Sequence, residues 1–389
     1  LGCYGGPRIT PTLDALAAAA TRYERCTASS PWTVPSHASL FTGLDPHTHG
    51  AQSFEVDAFE GLDNVYTLSE DRVTLAELLR DEGYATGGVV ANAAYLKPAF
   101  GLNQGFDDWS VSRVRAPRLN REALAWVDAR APDEPWFLFL NYMDAHRPYA
   151  TGRDRTHVRE RIDGLIQKVM VRGEAPGALG DEVRALQQLA VTRLDAELGR
   201  LFDGLRERGI LEEAVVVVTS DHGEAFGEHG VVEHSKDVYE ELVRVPLIVK
   251  APSQGQPAVV ADRASSVDVP GIVAAELVAA GHDILPGEFP RRPGGHVVLA
   301  ENHYSRFGDL ARFGERFARR RYAIYEGRWK LIAGSKGSVE LYDLDADPGE
   351  TSDVSGLHGE VVERLACELE RALAATGFEG ERALPGQLT

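Results

Sequence analysis

Cysteine is scarce: the chain of 389 residues has three, Cys3, Cys26 and Cys367, far apart. That spacing excludes a disulfide framework and a CxxC metal site. No apolar run approaches the roughly 20 residues needed to cross a bilayer. No period recurs, and Pro and Gly are scattered, which excludes repeat and low-complexity classes. Positive charge is also short. The formal net charge is −18 at pH 7, which disfavours attraction to nucleic acid or an anionic membrane. Acidity does not exclude an anionic substrate, because a metal can reverse the local sign inside a pocket. No signal peptide is visible, but the first residue is Leu and not Met, so localisation is not read from that absence, with the cytoplasm only slightly favoured.

What is present is apolar material, 43% of residues, ample for a large core. The first forty residues read as loop, helix, loop, helix, with Pro11 opening the first helix and Pro35 the second, which closes at Gly43. Residues 73–83 form an amphipathic helix, and 84–91 a buried strand. Residues 136–142 are a second buried strand, and 181–209 carry a long helical pattern. The run Ala214-Val215-Val216-Val217-Val218-Thr219 is the strongest strand signal and suits a parallel sheet covered on both faces. A further strand covers 245–249. Alternating strands and helices predict an α/β fold with a mostly parallel central sheet flanked by helices. After about residue 290 a hairpin around Glu326-Gly327-Arg328 and a helix from about 359 to 375 predict a small α+β unit. The expected division is therefore 1–290 and 291–389.

Three polar segments follow predicted strands or open helices. In Ser30-Pro31-Trp32-Thr33-Val34-Pro35-Ser36-His37, Pro35 suits a first helical turn. Thr33 then lies just ahead of a helix N-terminus, where free N–H groups attract anions. Its hydroxyl is a candidate nucleophile; Thr33 and Ser36 are equally candidates for plain helix caps. Ser220-Asp221-His222-Gly223-Glu224 leaves the Val-rich strand at the carboxyl end, where parallel sheets place ligand sites. Asp221 and His222 are candidate ligands of a divalent cation, with His234 further on beside Lys236. Asn141-Tyr142-Met143-Asp144-Ala145-His146 leaves another strand, and His146 is a candidate proton donor to a leaving oxygen.

Together these segments resemble the sulfatase family of the alkaline phosphatase superfamily. The stretch from Thr33 to Gly43, then Pro46-His47-Thr48-His49-Gly50, resembles the signature in which a nucleophile precedes x-Pro-Ser-Arg and a helix ending in Thr-Gly. Ser220-Asp221-His222-Gly223-Glu224 resembles the second metal-binding segment, and Asp144-Ala145-His146-Arg147-Pro148 the Asp-Pro-His-x-Pro element. Gly105-Phe106-Asp107, Gly327-Arg328-Trp329-Lys330 and Asp347-Pro348-Gly349-Glu350 match further elements. The resemblance implies an alkaline-phosphatase-like sheet and hydrolysis of a small-molecule sulfate or phosphate ester.

It also implies a divalent metal (calcium, manganese or zinc) on Asp221, His222 and Thr33, with His37, His146 and His234 in catalytic roles. The histidines tilt the metal toward zinc or a transition ion. Asn92, where the family often has Lys, and Lys236 are candidate substrate contacts. The chain departs from the family at three points. Usual sulfatases convert Cys or Ser at the nucleophile position to formylglycine, which Thr33 cannot supply, so none is expected. His37 replaces the family's Arg. The family's opening strand, with one or two Asp ligands, lies before the equivalent of Leu1-Gly2-Cys3-Tyr4-Gly5, so the chain reads as a fragment. Phosphotransfer within the superfamily and non-catalytic anion binding are the rival functions. The alcohol part is unspecified, with residues 150–185 expected to shape its pocket.

Overall fold

The computed structural model describes residues 1–54, 64–149, 154–252, 255–282, 297–305 and 307–374. Along the chain the strands are β1 (Thr21–Thr27), β2 (Ala85–Val90), β3 (Asp108–Val111), β4 (Trp136–Asn141) and β5 (Val216–Thr219). A short pair, β6 (Ala225–Phe226) and β7 (Val232–Glu233), precedes β8 (Arg244–Lys250), β9 (Ala258–Val260) and β10 (Ala264–Ser265). The last four are β11 (Val298–Asn302), β12 (Arg321–Glu326), β13 (Trp329–Gly334) and β14 (Val339–Asp343).

The expected loop after the first helix is in fact β1. It has no apolar run to announce it: Arg22, Glu24 and Arg25 interrupt the buried Tyr23 and Cys26. Tertiary pairing decides its state instead. It lies inside a five-stranded sheet, parallel to β9 and β10 and antiparallel to β8, which pairs antiparallel with β5 in turn. The central sheet is therefore mixed and not mostly parallel. The reason lies in the connection. A parallel neighbour needs a crossover of a dozen or more residues, usually a helix. Between β5 and β8 the chain makes only the β6–β7 pair and short helical turns, so it returns antiparallel.

The parallel expectation holds in a second sheet of order β3-β2-β4, where the Ala116–Asp128 helix makes the crossover between β3 and β4. Every residue of β4 and of β5 is only half-buried, and among the described residues each strand is paired on one side. The helix expected over 73–83 is Leu75–Asp81, started by a capping box of Thr74 and Glu77. The long one is Ala178–Glu207. Among the described residues no helix is long and apolar enough to cross a membrane.

The C-terminal sheet β11-β12-β13-β14 is an antiparallel meander, its expected hairpin closing on Gly327-Arg328 with Glu326 opposite Trp329. Gly327 takes φ 57, a left-handed value that glycine adopts without strain. Its two faces follow the period of two. Tyr322, Ile324, Leu331 and Leu341 pack against Leu365 and Leu369 of the Gly359–Ala374 helix. Ala323, Tyr325, Ile332 and Tyr342 face Val238, Leu242 and Val243 of the larger part. Each fully buried leucine here contributes roughly 2 kcal/mol of transfer free energy. The boundary expected near 290 falls within 283–296, outside the described residues.

Candidate active site

The exit of β5 turns sharply at Gly223. A Cβ there would lie 2.0 Å from the Glu241 carbonyl oxygen, and its N–H donates to the Leu242 carbonyl at 2.8 Å. This close approach, open only to glycine, fixes Asp221 and His222 beyond the strand end. His222 Nδ1 donates to the Gly223 carbonyl at 2.8 Å. That leaves Nε2 to face Asp221 Oδ2, at 3.4 Å. A carboxylate oxygen and an imidazole nitrogen brought together in this way suit a shared cation.

His234 and His146 are oriented in the same manner. His234 Nδ1 is 2.9 Å from Glu224 Oε1, and His146 Nδ1 is 2.9 Å from the Arg147 carbonyl. Both rings then present Nε2 as acceptor. The His222 and His234 rings stack at 4.2 Å between centroids, and His146 lies 5.3 Å from His234. Burial and the neighbouring His222 push the His234 pKa down to about 3. Burial likewise lowers His146. Neutral imidazoles of this kind are what metal ligation and proton acceptance need. Burial opposes a charge on Glu224, but His234 beside it holds the carboxyl down at about 2. Tyr149 donates its hydroxyl to the other Glu224 oxygen at 2.8 Å.

The Thr33–Thr42 helix brings the third segment in. It starts two residues earlier than Pro35 suggested, with Trp32 extended at the N-cap and no side chain capping it. Neither Thr33 nor Ser36 is a cap. The Ser36 hydroxyl donates to the Asp221 carbonyl at 2.5 Å, tying the helix's first turn to the loop after β5. His37 Nδ1 donates to the Thr33 carbonyl at 2.8 Å and lies 3.6 Å from Asp221 Oδ2. Burial lowers the His37 pKa despite Asp221. Thr33 is buried, and among the described residues its hydroxyl makes no hydrogen bond.

His37, His146, Asp221, His222 and His234 thus lie together, with Thr33 tied to them through His37, and the two expected substrate contacts have hydrogen bonds of their own. Asn92 Oδ1 accepts from the N–H groups of Ala94 and Tyr95, closing its own turn. Lys236 is 1% exposed, donating to the His234 carbonyl at 2.9 Å beside Asp309 and Glu233. Sequence reading passed over Glu224 and Tyr149. Glu224 stands in the quoted segment, but nothing local says that its carboxylate reaches a histidine ten residues on. His229, Glu241 and Glu350 also bring possible ligand atoms within 4.8 Å of one another. There, however, Lys330 already meets Glu350 at 2.7 Å, and His229 stacks on Tyr239.

A family model described as Sulfatase matches residues 1–274. The uncharacterized sulfatase YidJ of Escherichia coli (strain K12) is 25% identical over 411 aligned residues, which cover 90% of this chain and 79% of that protein. Among solved structures, that of BT4656 in complex with its substrate D-glucosamine-2-N,6-O-disulfate superposes with a TM-score of 0.72 at 20% identity, covering 98% of this chain and 97% of that one. The phosphonate monoester hydrolase of Agrobacterium radiobacter superposes with a TM-score of 0.73 at 19% identity, covering 96% and 92%.

Proposed function

The chain belongs to the sulfatase family, hydrolases of sulfuric or phosphoric esters, and from that premise we propose that it cleaves its ester through Thr33 beside a divalent cation on Asp221 and His222. The observation that carries this reading is the orientation of three imidazoles. His146, His222 and His234 each give Nδ1 to a carbonyl or carboxylate, leaving Nε2 for the reaction centre. Held by Asp221 Oδ2 and His222 Nε2, the cation would lower the pKa of a coordinated hydroxyl and neutralise oxyanion charge.

The rest falls to the chain's own groups. The Thr33 oxygen attacks phosphorus or sulfur, forming a Thr33 ester as the bond to the alcohol oxygen breaks. His234 or His146 accepts the hydroxyl proton at Nε2 and returns it to the leaving oxygen. Glu224, anionic at neutral pH, supports the imidazolium formed at His234. Free N–H groups at the start of the Thr33–Thr42 helix hold the equatorial oxygens. Water then releases the group from Thr33. No formylglycine is involved.

The test loads the full chain separately with calcium, manganese and zinc, then offers 4-nitrophenyl sulfate, 4-nitrophenyl phosphate and bis(4-nitrophenyl) phosphate. Turnover should need metal and fall roughly 1000-fold or more in Thr33→Ala. Turnover that Thr33→Ala leaves unchanged removes the nucleophile assignment.

A further inference from the structure

A cavity of about 360 Å³ lies between the start of the Ala116–Asp128 helix, the loop carrying His146, and one face of the Ala178–Glu207 helix. Asp144 and Tyr149, two residues before and three after His146, line it, so the cavity shares the His146 loop with the reaction centre. Tyr149 also makes the hydroxyl bond to Glu224, which orients His234. Pro117, Ala190 and the Tyr149 ring give the cavity apolar wall. Ala190, Arg193 and Glu197 line it one turn apart along the helix.

Four charged side chains line the space, and three of them already have partners. Asp144 accepts from the Ala116 N–H at 3.1 Å and lies 3.7 Å from Arg115. Glu197 is paired with Arg200. Arg193 is exposed and makes no ion pair or hydrogen bond among the described residues. Apolar wall with one unengaged guanidinium is the chemistry that recognises a ring bearing an acidic group, because the planar donor fork of arginine matches a carboxylate or sulfate.

We propose that this cavity binds the alcohol half of the ester, and that Arg193 selects alcohols carrying a second anionic group on a ring. The inference rests on the reading of the His146 and His234 cluster as the reaction centre, and names the substrate class for it. Arg193 acts here as a specificity residue, remote from the bond being broken.

The test separates this inference from the catalytic reading by measuring product binding as well as turnover. Titration calorimetry of phenol, 3-hydroxybenzoate and 3-(trimethylammonio)phenol against the full chain should show 3-hydroxybenzoate binding roughly 5- to 10-fold tighter than phenol. In Arg193→Ala that ratio should fall to about one, and Arg193→Lys should restore part of it. The ratio of KM values for phenyl and 3-carboxyphenyl phosphate, and for the matching sulfates, should follow the same order. Equal binding of phenol and 3-hydroxybenzoate overturns the proposal, as does a preference that Arg193→Ala leaves intact. Tighter binding of the trimethylammonio compound also overturns it, since Glu197 or Asp144 would then be the reader. Discrimination lost in Arg193→Ala without turnover of any ester supports the pocket while removing the proposed function.

Discussion

Glu301 lies buried between two histidines, with His47 Nδ1 at 2.5 Å and His303 Nε2 at 3.1 Å. Burial works against a charge on His47, but the Glu301 carboxylate outweighs it and pushes its pKa up to about 9. Burial also opposes the charge on Glu301, yet His47 and His303 hold it at about 2. An unfolded histidine titrates near 6.5. The histidine's share of stability is thus fully present below about pH 6.5 and is lost as pH rises through about 9. The Glu301 share runs the other way, present above the unfolded carboxyl range and lost as pH falls toward about 2. His47→Gln should therefore cost about 2 kcal/mol at pH 6 and clearly less at pH 10. Urea melts at both values check this, and equal penalties would refute a charged pair. At the reaction centre, Glu224→Gln removes the charge that orients and supports His234. It should lower turnover about 10-fold or more, because the imidazolium formed at His234 loses its supporting carboxylate. An unaltered turnover number would deny Glu224 that role.

The loop after β5 depends on one residue without a side chain. In Gly223→Ala the new methyl meets a backbone oxygen, which cannot swing aside as a side chain can, so the loop must shift. The expected cost is about 2 kcal/mol or more, with turnover lost because Asp221 and His222 move together. A thermal melt and an activity assay report the two effects separately. The strands show what a sequence can and cannot reveal. The runs in β4, β5 and β8 were legible because apolar side chains crowd together there, and the chemistry-bearing residues were legible as their polar exits. β1 was not, because Arg22, Glu24 and Arg25 hide a strand that only pairing with β8, β9 and β10 determines. The direction of β8 was hidden for the same reason. The turn that Asn92 closes and the burial of Lys236 were not legible, because residue type says nothing about which way a side chain turns.

Across the whole molecule, binding of metal to the folded state alone should add stability. A chelator should lower the melting temperature by a few degrees and addition of the preferred ion should restore it, with a gain of about 2.7 kcal/mol at 100 times the dissociation constant. A melting curve indifferent to chelator and ion would tell against a cation at Asp221 and His222. The larger part and the C-terminal sheet are joined by buried ions as well as by packing. Arg321 meets Asp237 at 2.9 Å and Glu340 at 2.7 Å, and Lys330 meets Glu240 at 3.2 Å and Glu350 at 2.7 Å. Asp237 and Glu240 follow His234 by three and six residues, so the two strands that supply their cations, β12 and β13, also support the loop carrying His234. Stranding such a charge costs about 3–5 kcal/mol. The consequence is genetic. A premature stop codon shortly before residue 297 would still allow translation of every group from Thr33 to His234, and a motif search would score the shortened gene as intact. Its product would carry buried acids without counter-ions and would not hold the catalytic residues in place, so the allele would behave as a null.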